Sequence, residues 1–516
     1  MDQAPPRDEF VEQTTELALA EKSKLVKSLS RLDMIGFTVC ALVGLDTLGT
    51  VASNGAQGFT WLIFLAVVFV LPYALAMAEV GSAFTQEGGP YEWAKMAFGR
   101  FQGAIAAVLY WVTNPLWVGG SLAFIATEAW NDNIFKIPAG GPGDYLFKFL
   151  FIWFSIGVAI VSLKRGKWIP NVGALMRVVL LGLFTLTTII YAIKHGAAGF
   201  AVKDLKPTGA VFFALVPLLL FNYVGFELQN GAAEEMEDPQ KDVPLAIVRS
   251  GITGVLLYAI PIFAILVVLP AEKVTGIGGF LDAVKETFGV YGGASSFLLG
   301  LMTICFVGTL LTSGAVWMIG SDRILAVAAY DGAFPGFFGV FNRKFGTPVR
   351  VNTMSGIFAT IFMVVAVAAF NGGTNSKFVV VLDIAISTTL ISYLWVFPAV
   401  IKLRYTHGHV HRPYRIPGDK AGMWIAAGLT TFWTALGSFV AIFPGVLERL
   451  FGISYDFHDT WGVSRTTFEV LTLGTLAVVF AIAIVGYWLG RDVRERVAVI
   501  PLEAAADIPP APAAIT

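Results

Sequence analysis

Along most of this chain, apolar runs of roughly 18 or more residues alternate with short polar connections, the length a helix needs to cross a hydrocarbon layer of about 30 Å. Such runs fall near 34–53, 59–83, 102–129, 144–163, 171–193, 208–233, 246–270, 294–320, 351–371, 377–403, 422–446 and 467–489. The pattern predicts an all-α polytopic membrane protein of about twelve transmembrane helices. Residues 1–30 are polar and are expected to form a disordered tail. They hold no short apolar run before a cleavage site, so the first span is expected to be retained. Residues 491–516 form a second tail, rich in Ala and Pro from Pro501 onward.

Two runs carry poor helix material at mid-span. The first contains Val43-Gly44-Leu45-Asp46-Thr47-Leu48-Gly49-Thr50, and the sixth contains Phe221-Asn222-Tyr223-Val224-Gly225-Phe226-Glu227-Leu228-Gln229-Asn230-Gly231. Glycines and carboxylates there predict discontinuous helices, and the two breaks lie five spans apart. That spacing predicts a five-plus-five inverted repeat, with halves over 31–195 and 207–403 making a transport core. Residues 404–490 then supply spans 11 and 12 with the loop before them. Unwound backbone in lipid survives only where it lines a polar cavity, so the breaks mark a binding site. A half-helix N-terminus attracts a carboxylate and freed carbonyls attract a cation or ammonium. Close packing of intact helices on glycine is the structural alternative.

Composition agrees with a membrane solvent: 56% of residues are hydrophobic and 14% charged, against roughly 25% charged in soluble domains. A net charge of −1 offers nothing to a nucleic acid. Most Lys and Arg fall in the tails and in the loops on the same side as the tails, which predicts both termini in the cytoplasm of a cell whose cytoplasmic membrane holds the protein. The loop with His407, His409 and His411 reads as solvated rather than as a metal site, and no cofactor is expected. Cys40 and Cys305 lie in apolar runs and read as small buried residues.

Charged residues inside spans are the strongest candidates for function. A carboxylate at mid-span costs roughly 2.5–3.5 kcal/mol and normally faces a cavity or a partner. Glu227 is therefore a candidate proton carrier that links proton occupancy to gating, the alternative being a structural hydrogen bond. The acidic run Glu234, Glu235, Glu237 and Asp238 reads as the solvated end of span 6, and Glu79 as an anchor near the end of span 2.

Four motifs, in order, are familiar. They are Glu87-Gly88-Gly89-Pro90-Tyr91-Glu92-Trp93 with Phe98-Gly99; Gly225-Phe226-Glu227 with Glu234-Glu235-Met236, Pro239, Asp242, Pro244 and Ala246; Asp322-Arg323-Ile324-Leu325 with Asp331-Gly332-Ala333-Phe334-Pro335; and Arg412-Pro413-Tyr414-Arg415-Ile416-Pro417-Gly418. Along nearly its whole length the chain resembles the amino acid–polyamine–organocation (APC) superfamily of permeases, whose fold has the LeuT-like layout described above. Trp317 to Arg323 and Phe69 to Glu79 lean toward its glutamate/GABA antiporter branch, whereas Asp46-Thr47-Leu48-Gly49 is similar to some putrescine importers.

The resemblance implies that substrate meets backbone at Val43, Gly44, Leu45, Asp46 and Thr47 and at Asn222, Tyr223, Val224, Gly225 and Phe226. It implies that Asn114 faces the substrate and that Trp317 closes over it, a packing role for Trp317 being the alternative. Where many relatives carry a lysine in place of a sodium ion, this chain has Arg177, a charge that does not deprotonate. Thr309, Thr312 and Ser313 would face it, with Asp46, Glu227 or Asp383 as its acidic partner. Asp46 replaces a residue that is usually Gly. It repels a substrate carboxylate and attracts an amine, or else it caps the second half-helix.

The function expected is a secondary active transporter of amino acids or related amines, a proton symporter or an exchanger, with a small-molecule substrate and the bilayer as its partners. It is expected to be a monomer or homodimer without an obligate ancillary subunit. A potassium-type cation transporter on the same fold is the alternative. The sequence has no His-Glu-x-x-His, Gly-x-Ser-x-Gly or Walker motif that would point to an enzyme or direct ATP use.

Overall fold

The computed structural model describes residues 11–501 except 26, 166–167, 198–201, 275–277 and 370–373. Eleven helices among the described residues are long and apolar enough to cross a membrane. The remaining span is the sixth, whose apolar helix Gly209–Asn222 is too short because the break ends it. Start and stop signals agree with local chemistry. Span 1 begins at Arg31 behind a capping box in which Ser30 and Asp33 satisfy each other's backbone N–H. Ser464 caps span 12, Arg465–Leu489, with its side chain on the Thr467 amide.

Span boundaries lie within a few residues of expectation, with two exceptions. Span 7 starts early, at Pro239. Span 8 ends late, at Tyr330, because its polar end continues as helix into protein instead of water. Span 5, Trp168–His195, turns Leu175, Val179, Leu186 and Ile190 outward and Arg177 inward, the arrangement lipid demands of a single charge. Span 3 is buried along its length and kinks through a π-turn at Val118–Leu122, just after Pro115. There a Cβ on Gly119 would stand 2.1 Å from the Ala359 carbonyl, so only glycine lets span 9 approach.

The tails differ from expectation. Strand β1 (Val11–Thr15) pairs antiparallel with β2 (Val497–Pro501), and a helix follows at Glu16–Lys22. Residues 11–22 thus form a strand and a helix where a disordered tail is expected. The strand's partner lies almost the whole chain away, where no local pattern reveals it. Residues 1–10 and 502–516 lie outside the described residues. The two paired strands mark one end of the bundle, called here the tail end.

Candidate substrate and coupling site

Span 1 is helical to Leu42, extended at Val43 and Gly44 (φ −82°, ψ 121°), turns once through Leu45–Thr47 and resumes as a half-helix at Leu48–Ser53. The groups this break frees are taken by side chains from other spans. The Ala41 carbonyl accepts from Trp317 Nε1 at 2.9 Å, the Leu42 carbonyl from the Tyr258 hydroxyl at 3.0 Å and the Val43 carbonyl from Arg177 Nε at 2.8 Å. The Gly44 N–H donates to the Tyr258 oxygen at 2.9 Å. A Cβ on Gly44 would stand 2.7 Å from Asp46 Oδ1, so a larger residue there would displace that carboxylate.

Span 6 breaks at residues 223–227 and continues as a tight 3-10 turn over Leu228–Glu235. Gly225 sits at φ +129°, a conformation open to glycine. The freed N–H groups of Gly225 and Phe226 donate to the Tyr73 oxygen at 2.9 and 3.2 Å. Tyr73 in turn donates to Glu227 Oε2, while Tyr110 and Tyr393 each donate to Oε1 at 2.5 Å. Glu227 is fully buried and has three phenols from spans 2, 3 and 10 around it. One of those phenols also holds the broken backbone, so the carboxylate and the break share a single hydrogen-bond network.

Between the breaks, Gly44, Asp46, Trp117, Phe221, Asn222, Tyr258 and Trp317 line a small cavity of about 10 Å³, room for roughly one water. Asp46 Oδ2 accepts from Trp117 Nε1 at 2.9 Å, and no salt bridge reaches Asp46 among the described residues. Asp46 lies within the turn, at neither half-helix's cap position, and neither cap there has a side-chain bond. Both side-chain atoms of buried Asn222 lack hydrogen-bond partners, leaving an amide free for a ligand.

The site departs from expectation in three ways. Much of the backbone assigned to substrate at Val43, Gly44, Gly225 and Phe226 is already bonded to side chains. Leu45, Thr47, Tyr223 and Val224 are buried but do not line the cavity; the Tyr223 hydroxyl instead donates to the Leu62 carbonyl at 3.2 Å. Asn114 does not line it either: it donates to the Tyr110 carbonyl of its own helix at 3.2 Å, and span 3 offers Trp117 in its place. Trp117, Tyr258 and the phenols around Glu227 went unrecognised because an aromatic in an apolar run looks like any other core residue.

Arg177 is fully buried, and its donors reach Val43 O, Cys40 Sγ (3.0 Å), Gly173 O (2.8 Å), Thr312 Oγ1 (3.1 Å), Thr309 O (2.7 Å) and Ser313 Oγ. That set engages every N–H of a guanidinium. Thr309, Thr312 and Ser313 thus converge on Arg177 as the resemblance implied. No carboxylate hydrogen-bonds Arg177 among the described residues; of the three acids expected as its partner, Asp46 lies within electrostatic reach of its charge. Asp383 lies in a different cavity, since the helical register turns it away from span 5.

At the tail end the four motifs form three ionic groups, centred on Arg323, Asp331 and Glu79. Arg323, fully buried, reaches Glu87 at 2.8 Å, Glu235 at 2.6 Å and the Gly346 carbonyl at 2.6 Å. Asp331 receives Arg100 Nε at 2.8 Å, Tyr91 at 2.6 Å and Lys95 at 3.3 Å. Glu79 is gripped by Arg404, by Arg412 at 3.3 Å and by the Ile416 N–H at 2.8 Å, the anchor expected of it. The acidic run is not solvated throughout: Glu235 is buried against Arg323, and Glu234 pairs with Lys22 at 2.8 Å. A charge run at a helix end looks the same in sequence whether it meets water or arginine. Burial pushes Glu87 up to about 8, Arg323 opposing and Glu235 and Glu234 adding to the rise. Burial works the same way on Asp331, but Lys95 and Arg100 hold it below the ordinary carboxylate value.

Two broken helices facing each other across a small cavity, within a bundle of membrane-length helices, have the layout of a carrier. The family model described as amino acid permease matches residues 29–454. The chain belongs to that family and is a multi-pass membrane protein, a secondary transporter of amino acids or related amines. It is 30% identical over 383 residues to a probable agmatine/putrescine antiporter of Lactococcus lactis, covering 74% of this chain and 80% of that one. An uncharacterized transporter of Legionella pneumophila is 26% identical, with 80% and 89% covered. A glutamate/gamma-aminobutyrate antiporter of L. lactis is 22% identical, with 81% and 84% covered. Among solved structures, a manganese transporter mutant of Eremococcus coleocola superposes with TM-score 0.56 at 12% identity, covering 93% of this chain and 95% of that one, a likeness of fold.

Proposed function

We propose that the substrate is a cationic amine without an α-carboxylate, whose ammonium is taken by Asp46. One observation carries this reading. The chain's own carboxylate stands at the turn that opens the second half of span 1, where a half-helix N-terminus would otherwise attract a substrate's carboxylate. Among the described residues the side chain that hydrogen-bonds Asp46 there is the neutral donor Trp117, with the Arg177 charge within electrostatic reach. Around it, Trp117, Trp317, Phe221 and Tyr258 offer ring faces to an ammonium and its methylenes. The similarity to a probable agmatine/putrescine antiporter supports the same class. For the potassium alternative, one carboxylate in an aromatic wall is a poor substitute for a shell of hard oxygens.

In this reading Asn222 hydrogen-bonds the far end of the amine, and Trp317, held on the Ala41 carbonyl, closes over it. Arg177 is a fixed charge in place of a coupling ion, and Glu227 takes up and releases the proton that biases the span 6 break. The tail end is cytoplasmic, its ionic groups are the inner gate, and the carrier works in the cytoplasmic membrane as a monomer or homodimer without an obligate ancillary chain.

The test is uptake into proteoliposomes of labelled putrescine, arginine, glutamate, gamma-aminobutyrate, leucine and a potassium analogue, with and without a proton gradient, for wild type and Asp46→Asn. Putrescine or another amine should enter and Asp46→Asn should abolish entry. Entry of a neutral or acidic amino acid that Asp46→Asn tolerates refutes the amine reading.

A further inference from the structure

A second acidic cavity, of about 90 Å³, lies among the first half of span 6, the start of span 10 and the connection between spans 11 and 12. Two carboxylates line it. Asp383 is 5% exposed and Glu448 3% exposed, and Asp383 Oδ2 and Glu448 Oε2 each lack a hydrogen-bond partner. Among the described residues no Lys, Arg or His lines the cavity. The nearby guanidinium of Arg465 lies over the Phe457 ring at 4.8 Å and pairs with Glu469 at 3.7 Å. Buried carboxylate oxygens are costly unless paired, and these two have no partner among the described residues.

The rest of the wall suits an organic cation. Tyr455 and Trp461 stand on the same side, with Trp461 Nε1 donating to the Tyr455 oxygen at 2.6 Å. Burial pushes the Tyr455 phenol up to about 12, with the Trp461 bond opposing and Glu448 and Asp383 adding to the rise, so both acids lie within electrostatic reach of that ring. Pro217 also lines the cavity and has no N–H for the Phe213 carbonyl one turn back. Carboxylates, aromatic faces and an uncapped carbonyl around a volume lined mostly by apolar atoms suit an alkylammonium better than a bare metal ion.

The cavity also stands in line with the central site. Thr50 lines it and lies four residues beyond Asp46, in the half-helix that follows the turn. Leu218 lines it and lies one turn from Asn222 in span 6. We infer that Asp383 and Glu448 form a second binding site for an organic ammonium, a staging site from which the amine passes inward to Asp46. The link to Asp46 rests on the amine reading of the central site; the ammonium site itself does not.

Equilibrium binding of labelled putrescine to the purified full-length protein tests both, read as sites per chain for wild type, Asp383→Asn, Glu448→Gln and Asp46→Asn. Two sites are expected in wild type. Asp383→Asn or Glu448→Gln should weaken one of them by at least about tenfold and raise the KM of uptake, leaving the maximal rate near wild type. Asp46→Asn should remove the other site. A single site that is lost with Glu448→Gln and kept in Asp46→Asn upholds the staging site while refuting the amine reading of the centre. Overturning results are a wild type with no site sensitive to Asp383→Asn and Glu448→Gln, or a cavity that takes potassium or manganese and not putrescine. Melting temperatures of the two isosteric variants within a few degrees of wild type separate lost binding from lost folding.

Discussion

Replacing Glu227 by Gln separates a proton carrier from a structural bond, because the surrounding geometry accepts the amide. Tyr73 already receives the N–H groups of Gly225 and Phe226, so its oxygen has no room for another donor. The Gln oxygen must therefore face Tyr73, and its NH2 must face the oxygens of Tyr110 and Tyr393, which lie 2.5 Å from Oε1 in the wild type. Three bonds to a carboxylate, each about 1.5–3 kcal/mol, give way to neutral bonds of about 0.5–1.5 kcal/mol. Against this loss of roughly 3 kcal/mol, the variant no longer buries a charge, a penalty of several kcal/mol. The two nearly cancel, and the melting temperature should move by only a few degrees. Glu227→Ala instead strands three hydroxyls at about 1–3 kcal/mol each, enough to rival the 5–15 kcal/mol by which a typical protein is stable at all. Uptake into proteoliposomes from mildly acid to mildly alkaline medium is the assay. Glu227→Gln should keep measurable transport and lose its pH dependence. A pH profile superimposable on wild type refutes the carrier role and leaves Glu227 as a structural tie.

The remaining tests address the gate, the break and the fixed charge. Glu87 titrates high when buried against Arg323, and an acid with a raised value stabilises the closed cluster in full below the ordinary carboxylate range, losing that contribution as pH rises to about 8. Amide protection in residues 84–98, taken relative to the intrinsic exchange rate at each pH, should therefore fall toward about pH 8, and Glu87→Gln should flatten that fall. Gly225→Ala puts a methyl at φ +129°, 3.2 Å from Trp317 Cζ2, so a cost of about 1–3 kcal/mol should appear as a lowered melting temperature and reduced uptake. Arg177→Lys keeps a charge but offers three donors where five are engaged, and its ammonium can release a proton. Its uptake should acquire a pH dependence on the alkaline side that wild type lacks, and an unchanged profile would count against Arg177 as a fixed charge.

What the sequence discloses follows the physics of each feature. A bilayer dictates span length, so the spans are legible residue by residue, and glycine with a carboxylate at mid-span cannot form good helix, so both breaks are legible too. What satisfies the breaks is not, because the satisfying atoms come from distant spans. Tyr258, Tyr73 and Trp317 each read as ordinary aromatic core until the fold sets them on the Leu42 carbonyl, the Gly225 N–H and the Ala41 carbonyl. Asp383 was legible as an intramembrane acid, but only helical register sends it to a cavity away from Arg177. This division bears on how such a carrier moves. In this structure, side chains hold backbone that lipid cannot satisfy. A rocking motion that separates span 1 from spans 5, 7 and 8 must strand the carbonyls of Ala41, Leu42 and Val43 unless something replaces Trp317, Tyr258 and Arg177. Water admitted from either side, or the substrate's own ammonium, supplies the donors. The bound amine would thus lower the barrier of the step that carries it, while motion with an empty, dry site would expose bare backbone to hydrocarbon.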